Sequence, residues 1–150
     1  MELGVISCAN AVILGLMMIP NILYAIRAEA GAAAGKPILN FLEQAGRYAS
    51  MVLMVFPLGV GEFGFPNVEA LLTYFFGNGI LTAAYLLTWI FYFRKKNYAE
   101  TMILAIIPVL IFVLTGVCLR HWLLVAAGIL FGICHISVSV GAFKEKSPDS

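Results

Sequence analysis

Residues 101–143 read TMILAIIPVLIFVLTGVCLRHWLLVAAGILFGICHISVSVGAF, two apolar runs parted only by Arg120 and His121. A helix that crosses the hydrocarbon core of a bilayer needs about 20 mainly apolar residues, since about 30 Å of lipid is covered at about 1.5 Å per residue. Thr101 to Leu119 and Trp122 to Phe143 both meet that length. The stretch therefore predicts two antiparallel spanning helices joined by a tight polar turn, with Trp122 at the lipid–water interface.

Working outward, Leu3 to Ile26 carries no charge, and Val68 to Phe93 carries none after Glu69 until the cluster Arg94, Lys95 and Lys96. Both are expected to span. The remaining apolar stretch begins at Tyr48 and runs to about residue 65, but it holds Pro57, Gly59, Gly61 and Glu62. A re-entrant loop is the alternative there. The distribution of charge favours a full span. With five crossings, Arg27, Lys36, Arg47, Arg94, Lys95, Lys96, Lys144 and Lys146 fall on one side and Arg120 alone on the other. Cytoplasmic loops of membrane proteins carry such an excess of Lys and Arg. The expectation is an all-α, multi-pass membrane bundle of five transmembrane helices, about 3–26, 48–65, 68–93, 101–119 and 122–143. Its N-terminus lies outside and its C-terminus in the cytoplasm.

Between the first two spans, the small-residue tract Ala28 to Gly35 is expected to be mobile. After it, Pro37 suits the first position of a helix. Ile38, Phe41, Leu42 and Ala45 then recur opposite Asn40, Glu43, Gln44 and Arg47, which reads as a short interfacial helix or as an N-terminal extension of the second span. Residues 144–150 are expected to form a flexible tail.

The composition agrees: 62% of residues are hydrophobic and 11% charged, against about 25% charged in soluble domains. A formal net charge of +1 gives no footprint for nucleic acid. Met1-Glu2-Leu3 lacks the basic region of a signal peptide and the glycine that myristoylation requires, so the first helix is expected to be retained. Cys8, Cys118 and Cys134 are odd in number and lie in apolar runs, so they read as small buried hydrophobes, with neither a disulfide frame nor a metal site expected.

Polar side chains within the spans are the strongest functional pointers, because lipid offers them no hydrogen bonds. Asn10 and Asn21 stand eleven residues apart, about three helical turns, and Pro20 removes a backbone donor beside Asn21. Asn78 lies between Gly77 and Gly79, followed on its face by Thr82, Tyr85, Trp89 and Tyr92. This stripe reads either as a pocket wall or as an interfacial anchor, the latter more strongly for Trp89 and Tyr92. His135 is the one ionisable residue inside a predicted span, with Ser139 one turn on. Together His135, Ser139, Asn10, Asn21 and Asn78 form the expected intramembrane polar cluster. Gly128 and Gly132 have the spacing of a helix-packing seam, and an oligomer of this chain would be expected to use it. Glu62, Arg120 and His121 are expected on the outer face, as an ion pair of Glu62 with Arg120 or as separate headgroup contacts. Arg94, Lys95 and Lys96 are read as a cytoplasmic topology determinant.

No phosphate loop, dinucleotide fingerprint, zinc-protease motif or nucleophile elbow is present, so no catalytic residue, cofactor or metal is expected. Three functions fit. The leading one is a non-enzymatic accessory, immunity or partner-binding bundle, whose partners are the lipid bilayer and either a second copy or another membrane protein. The next is an oligomeric transporter or channel component with a polar cavity around His135. The last is a membrane enzyme acting on lipid or quinone, which lacks a second titratable group near His135.

Overall fold

The computed structural model describes residues 2–27, 36–59 and 62–146 and is all-helical over these. Five helices follow in order: α1 (Glu2–Arg27), α2 (Pro37–Val55), α3 (Val68–Arg94), α4 (Tyr98–Cys118) and α5 (Trp122–Lys146). The tract expected to be mobile, residues 28–35, lies outside the described residues, as do 147–150. Helix α5 runs on to Lys146, so residues 144–146 of the expected tail are helical.

Helix α2 corrects the expected boundaries of the second span. The short amphipathic segment and the start of that span are one continuous helix of 19 residues, about 28 Å long. It begins at Pro37, with Lys36 extended before it, and stops at Val55, because a residue preceding proline is pushed out of the helical region. Phe56, before Pro57, is extended accordingly at φ −109° and ψ 119°. Four helices, α1, α3, α4 and α5, are long and apolar enough to cross a membrane. Helix α2 falls short on composition because Glu43, Gln44 and Arg47 interrupt it.

The chain runs back and forth, so that the ends of its helices gather at two poles. Arg27, Lys36, Arg94, Lys95, Lys96 and Lys144 share one, the basic end; Glu62, Arg120 and His121 share the other. Helix α2 packs along α5, α5 along α4 and α4 along α3, while α1 closes the ring through thinner contacts with α2 and α3. Glycine makes the tight crossings possible. A Cβ on Gly46 of α2 would stand 3.0 Å from the Cα of Phe131, and one on Gly132 would stand 2.6 Å from a methyl of Val109. Gly128 likewise faces Phe112 and Val113. The Gly128–Gly132 seam is therefore filled by α4 of the same chain, which corrects its expected use between copies.

The surface is inside-out by the standards of a water-soluble protein. Ile38, Phe41, Phe76, Ile80 and Ile133 are exposed, whereas Asn10, Glu43, Ser50, Asn78 and Thr115 are buried. Lipid reverses the solvent preference, and four apolar helices with this polarity suggest a membrane protein. Cys118 and Cys134 are buried and unpaired as expected, but Cys8 is exposed.

The α4–α5 turn shows how a two-residue polar break reverses the chain. The His121 amide donates to the Gly116 carbonyl at 2.7 Å and the Arg120 amide to Val117 at 3.2 Å, the paired bonds of a Schellman cap. Arg120 takes the left-handed position at φ 57° that glycine usually fills. His121 then caps α5, its Nδ1 accepting from the Leu124 amide at 3.2 Å.

Candidate functional site: a cavity lined by all five helices

Between the helices lies a cavity of about 490 Å³. Its walls run from mid-bundle, at Leu14, Phe112 and Phe131, towards the basic end, at Ala25, Tyr92, Thr101 and Phe143. Every helix contributes. Two interior prolines, Pro20 in α1 and Pro108 in α4, interrupt the hydrogen-bond ladders of helices around it, and Pro108 itself lines the cavity.

The chemistry is concentrated where α2 faces α5. Glu43 is buried, and its Oε1 accepts from His135 Nδ1 at 2.9 Å and from Arg47 Nη2 one turn along its own helix. An ionised carboxylate only accepts, so this bond places the imidazole proton on Nδ1 and leaves Nε2 as the ring's free edge. Arg47 and His135 both line the cavity. Phe131 holds the pair in place: its ring stacks on His135 at 4.8 Å between centroids, and the Arg47 guanidinium lies over it at 5.7 Å. Gly46 lets α2 come this close to Phe131, and the separation of Glu43 from His135 follows from that approach.

Opposite this group stands an aromatic wall. Tyr24, Tyr85, Trp89 and Tyr92 all line the cavity, with Trp89 centred 5.6 Å from Tyr24 and 5.4 Å from Tyr92. Trp89 is buried, so the anchor reading favoured for it gives way to the pocket-wall reading. Asn21 joins the wall by donating to the Tyr85 hydroxyl and to its own helix at Met17, both at 2.8 Å.

The five polar residues expected in one cluster are thus divided. His135, Ser139 and Asn21 line the cavity. Asn10 lies apart, donating to the Met54 carbonyl at 2.7 Å and accepting from the Tyr74 hydroxyl at 2.5 Å. Asn78 bonds Thr115 of α4 at 3.1 Å. At the far end, Arg120 Nη1 donates to Glu62 Oε2 at 2.9 Å on the exposed surface. His121 is not an outer-face charge: it is buried against the edge of Phe63, and burial lowers its pKa from the ordinary value, with backbone hydrogen bonds opposing. Of the basic cluster, Lys96 Nζ sits 5.7 Å over the ring of Tyr24, a residue of the cavity wall.

Glu43 and Arg47 fall outside the expected site because the polar face they share fits an interfacial helix or an N-terminal extension of the second span equally well. The usable signal was that this face continues through Ser50 into the apolar stretch, so that one polar stripe joins the amphipathic segment to the second span. Among the described residues no group of His, Cys, Asp and Glu is placed to hold a metal. No protein-family model, curated protein or solved structure matches this chain significantly.

Proposed function

We propose that this chain is a membrane-embedded solute-binding bundle, the binding component of a transport process, which admits a small organic molecule from its basic end. One observation carries the reading: a carboxylate, a guanidinium and an imidazole are gathered at the wall of an internal cavity. Ionisable groups are costly to keep inside a membrane and mark pathways and binding sites. A bundle used only for packing or partner contact has no need of them beside open space. About 490 Å³ falls in the range of small-molecule sites, about 300–1,000 Å³.

In this reading the chain crosses the bilayer five times. Helix α2 crosses because its apolar side meets lipid while Glu43 and Arg47 turn inward. The basic end is cytoplasmic, by the excess of Lys and Arg there, and the N-terminus is outside. Since Gly128 and Gly132 are occupied within the chain, a second copy would associate through another surface.

A second reading, general-base catalysis, draws on the Glu43–His135 pair, because a carboxylate behind Nδ1 leaves Nε2 as a proton acceptor facing the cavity. A bound solute recovered chemically unchanged after prolonged incubation favours binding over turnover.

The test is solvent access. With Cys8, Cys118 and Cys134 replaced, Ser139→Cys on the cavity wall is probed from each face of the membrane with a charged, impermeant thiol reagent. Labelling from the cytoplasmic face alone is expected. No labelling from either face, in protein shown to be folded, overturns the proposal.

A further inference from the structure

The cavity wall exposes the two sides of its ion pair unequally. The Glu43 side chain is 6% exposed, whereas Arg47 is 31% exposed and His135 19%. A guanidinium has five N–H donors, and Glu43 takes a bond from one nitrogen only, Nη2. A molecule in the cavity therefore meets more of the guanidinium donors and of the imidazole edge than of the carboxylate, which also lines the cavity but is the least exposed of the three. The basic end of the bundle, towards which the cavity runs, has the same sign. Lys96 lies over Tyr24 and Arg27 over Phe93, and among the described residues of that end the acids are Glu100 and Glu145. Beyond Glu43, Arg47 and His135 the lining is largely apolar and aromatic.

We propose that the solute is an organic monoanion with an apolar body. Its carboxylate is held by the free N–H donors of Arg47, and its hydrocarbon or aromatic part lies among Met17, Tyr85, Trp89 and Phe131. This rests on the solute-binding reading above. A carboxylate matches the guanidinium fork in shape and charge, which a hydroxyl or ammonium group does not. An ammonium head would face Arg47 with like charge, and the carboxylate beside it is 6% exposed and already accepts from Arg47 and His135 through Oε1. Cations at the basic end raise the local concentration of anions. Such an acid can come from water or from the bilayer as a fatty acid, and both present the same head group.

Trp89 provides the readout, since it lines the cavity and the chain has two tryptophans. The full-length protein carrying Trp122→Phe is placed in phosphatidylcholine nanodiscs, and Trp89 fluorescence is titrated with the heavy-atom quencher 4-iodobenzoate. Neutral 4-iodobenzyl alcohol, cationic 4-iodobenzylammonium and bilayer-partitioning 11-bromoundecanoate are compared. The expected result is saturable quenching by at least one acid, at least about tenfold tighter than by the alcohol or ammonium, the scale of one charge-assisted hydrogen bond. Arg47→Gln removes that preference. Tighter binding of the bromo acid assigns a bilayer source, and tighter binding of iodobenzoate an aqueous one. Equal or better binding of the alcohol or ammonium, preference retained in Arg47→Gln, or no saturable quenching by either acid overturns the proposal. If Arg47→Gln fails to fold, the ranking on the unsubstituted site decides alone. A labelled Ser139→Cys without acid preference defeats the ligand class and leaves the solute-binding reading standing. An unlabelled one defeats both.

Discussion

The two halves of the bundle use polar side chains in opposite ways. Towards the end that holds Glu62 and Arg120, buried amides and hydroxyls answer one another: Asn10 with Tyr74 and Met54, Asn78 with Thr115. Each sits in a dry contact between helices. Towards the basic end, Glu43, Arg47 and His135 meet beside a cavity, and part of the wall remains accessible. Helices α1 and α3 show the contrast on one pair of elements. They run parallel, and Asn10–Tyr74 and Asn21–Tyr85 form two rungs eleven residues apart on both helices, about 16 Å. The first rung is sealed; the second borders open space. A membrane helix pair can thus be registered by repeated amide–hydroxyl bonds while only one end of the repeat is given to function.

The hardest test of the comparison is to remove the charge that organises the open half. Glu43→Leu leaves Arg47 and His135 without their buried partner, and breaking such a pair costs about 3–5 kcal/mol. Because Arg47 is partly exposed to the cavity and can be rehydrated there, the lower value, about 3 kcal/mol, is expected. Reversible unfolding in a bilayer mimetic measures it. A loss no greater than that of Asn10→Leu would mean that the ion pair does not organise the site.

A smaller effect separates the two rungs. Hydrogen bonds between membrane helices average about 0.6 kcal/mol by double-mutant cycles and reach about 1.7. Asn10 is wholly buried with both partners on other helices, so the Asn10→Ala, Tyr74→Phe cycle is expected near the upper value. Asn21 shares its amide with Met17 of its own helix, and water in the cavity can replace Tyr85. Its cycle is expected near the average or below. Equal coupling at the two rungs would show that the second half is as dry as the first.

What the sequence disclosed follows the same division. Apolar length marked α1, α3, α4 and α5, and the Arg120–His121 break marked the hairpin turn, because crossing lipid is a demand each segment meets alone. The site was less legible. His135, Asn21 and Ser139 stood out as polar residues in apolar runs, but Glu43 and Arg47 lie where an amphipathic pattern fits a surface helix equally well. Which side of α2 turns inward depends on the approach of Gly46 to Phe131, a contact 85 residues away in the chain. Tyr74 and Tyr85 repeat the spacing of Asn10 and Asn21, yet only the parallel packing of α1 and α3 makes those spacings partners.

The closed end has one histidine inside it, and a pH change near neutrality can therefore weaken that end. Burial lowers the pKa of His121, so the folded chain resists a proton that the unfolded chain accepts. Its contribution to stability is full above the ordinary histidine value, about 6.5, and is lost as pH falls from there towards the lowered value. His121→Asn keeps an acceptor for the Leu124 amide without the titration. The difference in melting temperature between the two proteins is expected to shift in favour of the variant as pH falls. A pH-independent difference would place His121 in contact with water.

The smallest effect is expected at the surface of the same turn. Arg120 adopts a left-handed conformation that costs an ordinary residue about 1 kcal/mol or more, and asparagine tolerates it better. Against this, Arg120→Asn removes the bond to Glu62, an exposed pair whose kind contributes about 0.2–1 kcal/mol. The two terms nearly cancel, with backbone relief the larger, so the variant is expected to equal or slightly exceed the parent in melting temperature. A clear loss would mean that the Glu62 bond ties the α2–α3 connection to the α4–α5 turn. The closed end would then depend on its surface as well as on the buried rungs beneath it.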